Sequence, residues 1–279
     1  MTYSGLNENV VLYRLEGAVA VLTLNRPERL NAWTIELERH YLDLLERAAA
    51  DPSVRAVVVT GAGRGYCPGG DMSELRDLGA AGTRPLEELQ SLYVKRTYNF
   101  PKPIIAAING ACAGLGLAQA LACDLRFAAV GVKFTTSYAR RGLPGEDGTP
   151  WLLERLLGTS RALDLLLSAR VVLAEEALEL GLVNRVYSAD RLLPETLAYA
   201  EDLAANCSPV AMALIKEQVH RHLQIDLDTA IRETGPIVVA ALGSEDFREG
   251  VSSFAERRPP KFPPLMPARQ TAPASQEDQ

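Results

Sequence analysis

The segments Gly61-Ala62-Gly63-Arg64-Gly65-Tyr66-Cys67-Pro68-Gly69-Gly70-Asp71-Met72 and Asn109-Gly110-Ala111-Cys112-Ala113-Gly114-Leu115-Gly116-Leu117-Ala118 decide how this chain is read. Each follows a short apolar run, Val54 to Thr60 before the first and Ile104 to Ile108 before the second, the pattern of a strand covered on both faces. Each leads into a helical pattern. Asp71 to Leu78 has Asp71 and Glu74 in capping-box spacing, and Leu115 to Cys123 is apolar enough to be buried. The first N–H groups of a helix lack intrahelical partners and the helix dipole adds positive partial charge, so such a turn can hold an anion or a developing oxyanion. Taken singly, either segment is explained as a tight strand-to-helix turn; two in one chain can face each other and form an oxyanion hole. Neither ends in the Lys-Ser/Thr of a P-loop, and Gly114-Leu115-Gly116 lacks the third glycine of a dinucleotide fingerprint.

The alternation continues outward. Val10 to Leu15 and Ala18 to Leu24 read as strands around the turn at Glu16-Gly17, Asn25-Arg26-Pro27 breaks the second, and Thr34 to Ala50 has helical apolar spacing with an acidic outer face. Leu86 to Asn99 reads as a helix, Asp124 to Ala129 as a strand, and Pro150 to Leu157 and Arg161 to Leu167 as helices punctuated by Gly158. This β-α-β order predicts an α/β architecture with parallel strands and leaves open whether the sheet is doubly wound or a spiral of repeated ββα turns. From Arg191 the strand signal fades, and Pro194 to Asn206, Pro209 to Leu223, Leu227 to Leu242 and Glu245 to Arg257 read as helices. Beyond Phe262 the chain is polar and proline-rich with nothing to bury, so a disordered tail is expected. The implied division is a core over 1–190, a helical region over 191–262 and a tail over 263–279.

The bulk properties narrow the function classes. At 279 residues, with 47% hydrophobic and 23% charged side chains, the chain can bury a full core, and no apolar run reaches the roughly 18 residues needed to span a bilayer. Met1 to Asn9 has no positive charge and no apolar stretch, so a cytoplasmic location is expected. A net charge of −6 gives no global attraction to nucleic acid or anionic membranes, and a polyanionic ligand would need a local cluster of Lys and Arg. Cys67, Cys112, Cys123 and Cys207 have no C-x-x-C spacing, which argues against a zinc site or a disulfide framework, and no metal is expected. His220 and His222 fall in a helical pattern and read as packed or solvated side chains.

Asn25-Arg26-Pro27-Glu28-Arg29-Leu30-Asn31-Ala32 resembles the N-R-P-x-x-x-N-A signature of the crotonase superfamily, the enoyl-CoA hydratase/isomerase family. The two glycine turns resemble that family's oxyanion segments, and Gly181-Leu182-Val183-Asn184-Arg185-Val186 is similar as well, so the likeness runs from about Val10 to Phe262. The resemblance implies a crotonase-like spiral of repeated ββα units with a C-terminal helical trimerisation region, assembled as a homotrimer or a dimer of trimers. It implies an acyl-CoA thioester as substrate, with coenzyme A as part of that substrate and no separate cofactor. Carried over by position, the backbone N–H groups of Gly70 and Leu115 are the oxyanion donors that stabilise a thioester enolate. Arg29 is placed near the coenzyme A entrance, Ala32, Asp71 and Tyr138 are further substrate contacts, and Arg258 or Lys261 meets the nucleotide's phosphates.

The acid and base are where this sequence departs from the family. Hydratases of the family typically use two glutamates, and the corresponding positions here are Ala118 and Tyr138. In Arg140-Arg141-Gly142-Leu143-Pro144-Gly145-Glu146-Asp147-Gly148, Glu146 matches the place where dienoyl-CoA isomerases and aryl-CoA dehalogenases of the superfamily carry a catalytic aspartate, which makes Glu146 the expected acid/base group. A carboxylate there can instead cap the helix from Gly148 to Leu157, a role that Asp147 also suits. An apolar pocket raises a carboxyl pKa and a nearby cation lowers it, so the placement of Arg140 and Arg141 matters. Tyr138 either orients substrate, supplies a weak acid, or fills space vacated by a glutamate. The expected function is acyl-CoA processing of the enoyl-CoA hydratase/isomerase type, with isomerisation, hydrolysis or decarboxylation as alternatives within the superfamily. A non-catalytic acyl-CoA-binding protein is the rival from another class. RNA binding, known for some relatives, is disfavoured by the acidic helix Thr34 to Ala50, and a Ser-His-Asp peptidase would need a serine where Gly70 and Leu115 stand.

Overall fold

The computed structural model describes residues 10–74, 76 and 92–266. Its larger sheet has six strands: β1 (Val11–Glu16), β2 (Val19–Leu24), β3 (Ala56–Gly61), β5 (Ile104–Ile108), β7 (Leu125–Ala129) and β10 (Arg185–Tyr187), hydrogen-bonded in that order. β1 and β2 are the expected antiparallel hairpin, and every later neighbour is parallel, with Val57 opposite Ile104 and Ile105 opposite Leu125. β3 and β5 are buried along their whole length, which is why they read as continuous apolar runs.

A smaller sheet of four short strands, β4 (Gly65–Cys67), β6 (Ala111–Ala113), β8 (Lys133–Thr135) and β9 (Val172–Leu173), runs beside it. The strand order of the larger sheet rises monotonically along the chain, whereas a doubly wound sheet reverses direction at a switch point. Each passage from β3 to β5 to β7 leaves one strand in the smaller sheet, so the fold is the spiral of ββα units. The two glycine segments are therefore more than turns. Each contains a strand, β4 or β6, of three residues, too short for a period-two pattern to register.

The helices are α1 (Ile35–Ala50), α2 (Leu92–Tyr98), α3 (Leu115–Ala122), α4 (Thr149–Leu157), α5 (Thr159–Ser168), α6 (Ala174–Leu180), α7 (Ala189–Asn206), α8 (Pro209–His222), α9 (Leu227–Leu242) and α10 (Glu245–Glu256). Thr34 caps α1 by accepting the Leu37 N–H at 3.1 Å. α7 begins five positions before the expected Pro194, because Ser188 already accepts the N–H groups of Arg191 and Leu192 and the proline sits inside the helix. The early part of the helix expected over Leu86 to Asn99, the end of Asp71 to Leu78, and the tail from 267 onward lie outside the described residues. Among those residues no helix is long and apolar enough to cross a membrane. α9 buries none of its side chains, and Leu227, Val239 and Phe254 on the C-terminal helices are 74%, 71% and 88% exposed.

Candidate active site

The site begins with the segment Asn25 to Ala32. Pro27–Arg29 forms one 3₁₀ turn, after which Leu30 and Asn31 adopt left-handed φ values of 53° and 65°. Asn31 is fully buried and works as a clamp: its amide donates to the carbonyls of Ala62 at 3.0 Å and Gly65 at 2.8 Å, and its Oδ1 accepts the Arg26 N–H at 2.8 Å. Arg26 reaches the Ala32 carbonyl at 2.6 Å and the Asp71 carboxylate at 3.0 Å. The next residue, Trp33, donates its N–H to Gly69 O at 2.8 Å and accepts from Asp71 N–H at 2.9 Å. These bonds make a parallel bridge centred on Gly70, so the N–H of Gly70 points away from Trp33, and among the described residues it donates to nothing.

Asp71 holds this arrangement together. Its Oδ1 accepts the N–H and hydroxyl of Ser73 at 3.0 and 2.6 Å, and with the Arg26 ion pair these bonds hold its carboxyl at about 2. A depressed carboxyl pKa contributes stability that is complete above the unfolded value and lost as pH falls through it toward the folded value. Asp71→Asn is therefore expected to lower stability by about 1–2 kcal/mol at neutral pH. The deficit should shrink between pH 4 and pH 2 in denaturant titrations, and a deficit independent of pH would refute the ion-pair account.

The second glycine segment supplies the facing wall. Gly114, with φ 48°, is the N-cap of α3, and Leu115 is the first helical residue, whose N–H has no partner within the helix. The two turns abut: a Cβ placed on Gly114 would lie 3.6 Å from Gly69 Cα, and one on Gly116 would lie 2.3 Å from the Cys67 carbonyl oxygen. Only glycine at 116 lets α3 approach β4 this closely.

Between the turns lies a cavity of about 570 Å³. Gly70, Leu115 and Glu146 line it, and so do Arg29, Ala32, Asp71 and Tyr138. It also takes in Arg141, whose placement the sequence left open, and Met72, Arg76, Thr136, Ser137 and Leu143, which the sequence did not assign to the site. Ala118 is fully buried in α3 and does not reach it. Six non-glycine residues among those described have positive φ, and Leu30, Asn31, Ser137 and Asp147 directly adjoin Arg29, Ala32, Tyr138 and Glu146. Strained backbone of this kind persists where surrounding structure enforces it, commonly at functional sites.

The carboxylates of this region differ in what they touch. Glu146 is half-buried, and among the described residues its side chain accepts no hydrogen bond and forms no ion pair; burial, then the charge of Asp147, raises its pKa above the usual carboxylate value. The Glu146 main-chain carbonyl accepts the Thr149 N–H at 2.8 Å. Gly148 is the N-cap of α4 and no side chain caps that helix, so neither Glu146 nor Asp147 is a capping residue. Asp147 instead accepts the Tyr93 hydroxyl at 2.9 Å. The arginines do not neutralise Glu146: Arg140 turns to the Ser168 carbonyl at 3.1 Å, and Arg141 makes a long contact of 3.4 Å with the Ser137 carbonyl. The Tyr138 hydroxyl bonds to Thr149 Oγ1 at 3.0 Å, and burial pushes its pKa well above the ordinary phenol value. Arg258 is paired with Glu249 and Glu256 within the C-terminal region, and the Lys261 N–H bonds to Glu249.

Residues 14–264 match the family model described as Enoyl-CoA hydratase/isomerase. The chain belongs to the enoyl-CoA hydratase/isomerase family. It is 35% identical over 257 residues to the 1,2-epoxyphenylacetyl-CoA isomerase of Escherichia coli K12, covering 90% of this chain and 97% of that protein. It is 33% identical over 252 residues to the short-chain-enoyl-CoA hydratase of Clostridium acetobutylicum, covering 90% and 96%. A crystal structure of an enoyl-CoA hydratase from Polaromonas sp. JS666 superposes with a TM-score of 0.85 at 33% identity, covering 90% of this chain and 99% of that one. Within this enoyl-CoA hydratase/isomerase family member, the sequence signature, both glycine turns and Glu146 meet at one cavity.

Proposed function

We propose that this enzyme binds an acyl-CoA thioester with its carbonyl oxygen between the N–H groups of Gly70 and Leu115, and moves a double bond through the resulting enolate with Glu146 as the proton carrier. The observation that carries this reading is the single unengaged carboxylate among the described residues of the cavity wall: Asp71 is bound to Arg26 and Ser73, whereas Glu146 accepts no hydrogen bond from any described residue. In a 3-enoyl thioester, Glu146 takes the proton from Cα, and the electron pair of that C–H bond spreads through the enolate to the carbonyl oxygen and to Cγ. Return of the proton at Cγ leaves the double bond between Cα and Cβ. One base suffices for this relocation, while hydration also needs a group that activates water at Cβ. Ala118 has no such group, and Tyr138, tied to Thr149 with a raised pKa, is a poor proton acceptor. The exposed Arg29 and Arg76 on the same cavity suit the phosphates of a coenzyme A moiety.

Assays of a 3-enoyl-CoA and of crotonyl-CoA test the reading. Conjugation of the 3-enoyl-CoA is expected to outpace loss of crotonyl-CoA absorbance. Faster hydration of crotonyl-CoA would assign the lyase reaction instead, and thioester binding without any turnover would favour a non-catalytic binding protein.

The C-terminal helices support self-association as a trimer or a dimer of trimers, since α9 buries no side chain and Phe254 is 88% exposed. Light scattering should give a multiple of the 30.3 kDa chain mass, and Val239→Asp with Phe254→Asp should dissociate the assembly. A wild-type monomer would dispose of this assembly.

A further inference from the structure

We propose that Tyr93 positions both the second N–H donor and the base, and that its hydroxyl rather than its ring does so; this rests on the reading of the site given above. Tyr93 is fully buried in α2 and was invisible as a site residue in the sequence. Its hydroxyl lies 3.2 Å from the Leu115 carbonyl oxygen and 2.9 Å from Asp147 Oδ2. Leu115 carries the N–H at the start of α3, and Asp147, held at φ 51°, immediately follows Glu146. One phenol hydrogen is shared between two acceptors, with the shorter, charge-assisted contact to Asp147 taking the larger part. Burial and the Asp147 charge push the phenol well above its ordinary pKa, so the hydroxyl stays a donor throughout the working pH range.

The ring joins the first donor to this pair. Trp33, whose backbone brackets Gly70, packs its indole against Tyr93 with centroids 4.4 Å apart and a 38° tilt. The Trp33 Nε1–H donates to the Glu38 carboxylate at 3.2 Å, which ties the indole to α1. Through this one side chain, the Gly70 bridge, the Leu115 peptide and the loop bearing Glu146 share a support. A displacement as small as 1 Å of catalytic groups can cost a hundredfold in rate.

Tyr93→Phe keeps the ring against Trp33 and removes only the hydroxyl. It is expected to lower kcat by about 10- to 100-fold with KM changed by no more than about threefold. Tyr98→Phe is the control: it lies on the same helix, its hydroxyl is buried without a partner among the described residues, and its kcat should match wild type. Asp147→Ala removes the shared acceptor and leaves the ring in place, so it should reproduce much of the loss. Combined with Tyr93→Phe it should add little. A second readout needs no turnover. Bound 4-dimethylaminocinnamoyl-CoA absorbs further to the red as its carbonyl is polarised, and Tyr93→Phe should reduce that shift at equal occupancy. Unchanged kcat and unchanged shift in Tyr93→Phe would overturn the proposal, as would full additivity with Asp147→Ala. If Tyr93→Phe does not fold, Asp147→Ala alone decides between the same outcomes. A red shift in wild type without enoyl turnover would sink the proton-carrier role of Glu146 and leave that of Tyr93 standing; no shift in wild type would remove both.

Discussion

Glu146→Gln is expected to lower turnover by about 10²- to 10⁴-fold at neutral pH while leaving thioester affinity close to that of wild type. The substitution keeps size and polarity and removes only the ability to exchange a proton. Two further readouts separate a base from a merely structural carboxylate. Burial and Asp147 raise the Glu146 pKa, so the ionised form that the proposed role as a base requires appears only above the ordinary carboxylate range. The acid limb of kcat/KM should therefore sit above the usual carboxylate midpoint. Asp147→Asn, which removes the second cause, should move that limb to lower pH whatever it does to the plateau. The stability effect runs the other way. A carboxyl whose folded pKa is raised binds its proton more tightly in the folded state, so ionisation opposes folding as pH rises through the folded pKa. Glu146→Gln relieves this at neutral pH and should melt at or above the wild-type temperature. An inactive and undestabilised variant is the signature of a group placed for chemistry; a destabilised variant with intact turnover would return Glu146 to a structural role.

The fold was legible where burial and periodicity were strong. β3 and β5 are covered on both faces and announced themselves as Val57-Val58-Val59 and Ile104-Ile105 runs, and α1 was placed to within one residue by Thr34 and its apolar spacing. The smaller sheet was not legible from periodicity. Its strands are three residues or fewer, and the pairing of Cys112 with Phe134, or of Val172 with the same residue, depends on contacts between distant parts of the chain. The choice between a doubly wound sheet and a spiral also lay beyond local pattern, because it is a property of strand order. Resemblance supplied that choice, and the monotonic order of the larger sheet bears it out.

The candidate site was legible in backbone and in motif, and much less so in its supports. The residues singled out around the two turns do line one cavity, because short motifs that fix a turn also fix what the turn faces. Asp147 looked like a helix cap, since a carboxylate just before a helix usually serves as one. It bonds to Tyr93 instead, a partner 54 positions away that no local rule could offer. Arg141 and Arg76 reach the cavity from a 3₁₀ turn and from the segment after Asp71, elements whose orientation is set only by tertiary packing. Side chains that hold other side chains leave little trace in sequence, whereas those that hold a strained backbone, such as Asn31 at φ 65°, leave a motif.

Leu115→Pro is the other substitution with a large expected effect, and it addresses the N–H that no side-chain change can remove. Proline is tolerated at the first helical position because the missing N–H has no intrahelical partner there, and glycine at 114 presents no Cβ to the proline ring. The helix should therefore form, and the Leu115 carbonyl at which Tyr93 donates is kept at the same position in the chain. Under the proposed function, what is lost is one hydrogen bond to the thioester oxygen, which strengthens as negative charge gathers there. Removal of a single oxyanion donor costs about 10²- to 10³-fold in kcat, or about 3–4 kcal/mol. Because the bond is stronger in the enolate than in the bound substrate, the loss should fall mainly on kcat, with KM altered less. Leu115→Ala supplies the contrast, since it trims the half-buried side chain and retains the N–H; it should stay within a few fold of wild type. Equal losses in the two variants would mean that the side chain matters and the N–H does not, and the second half of the oxyanion hole would have to be sought elsewhere on the cavity wall.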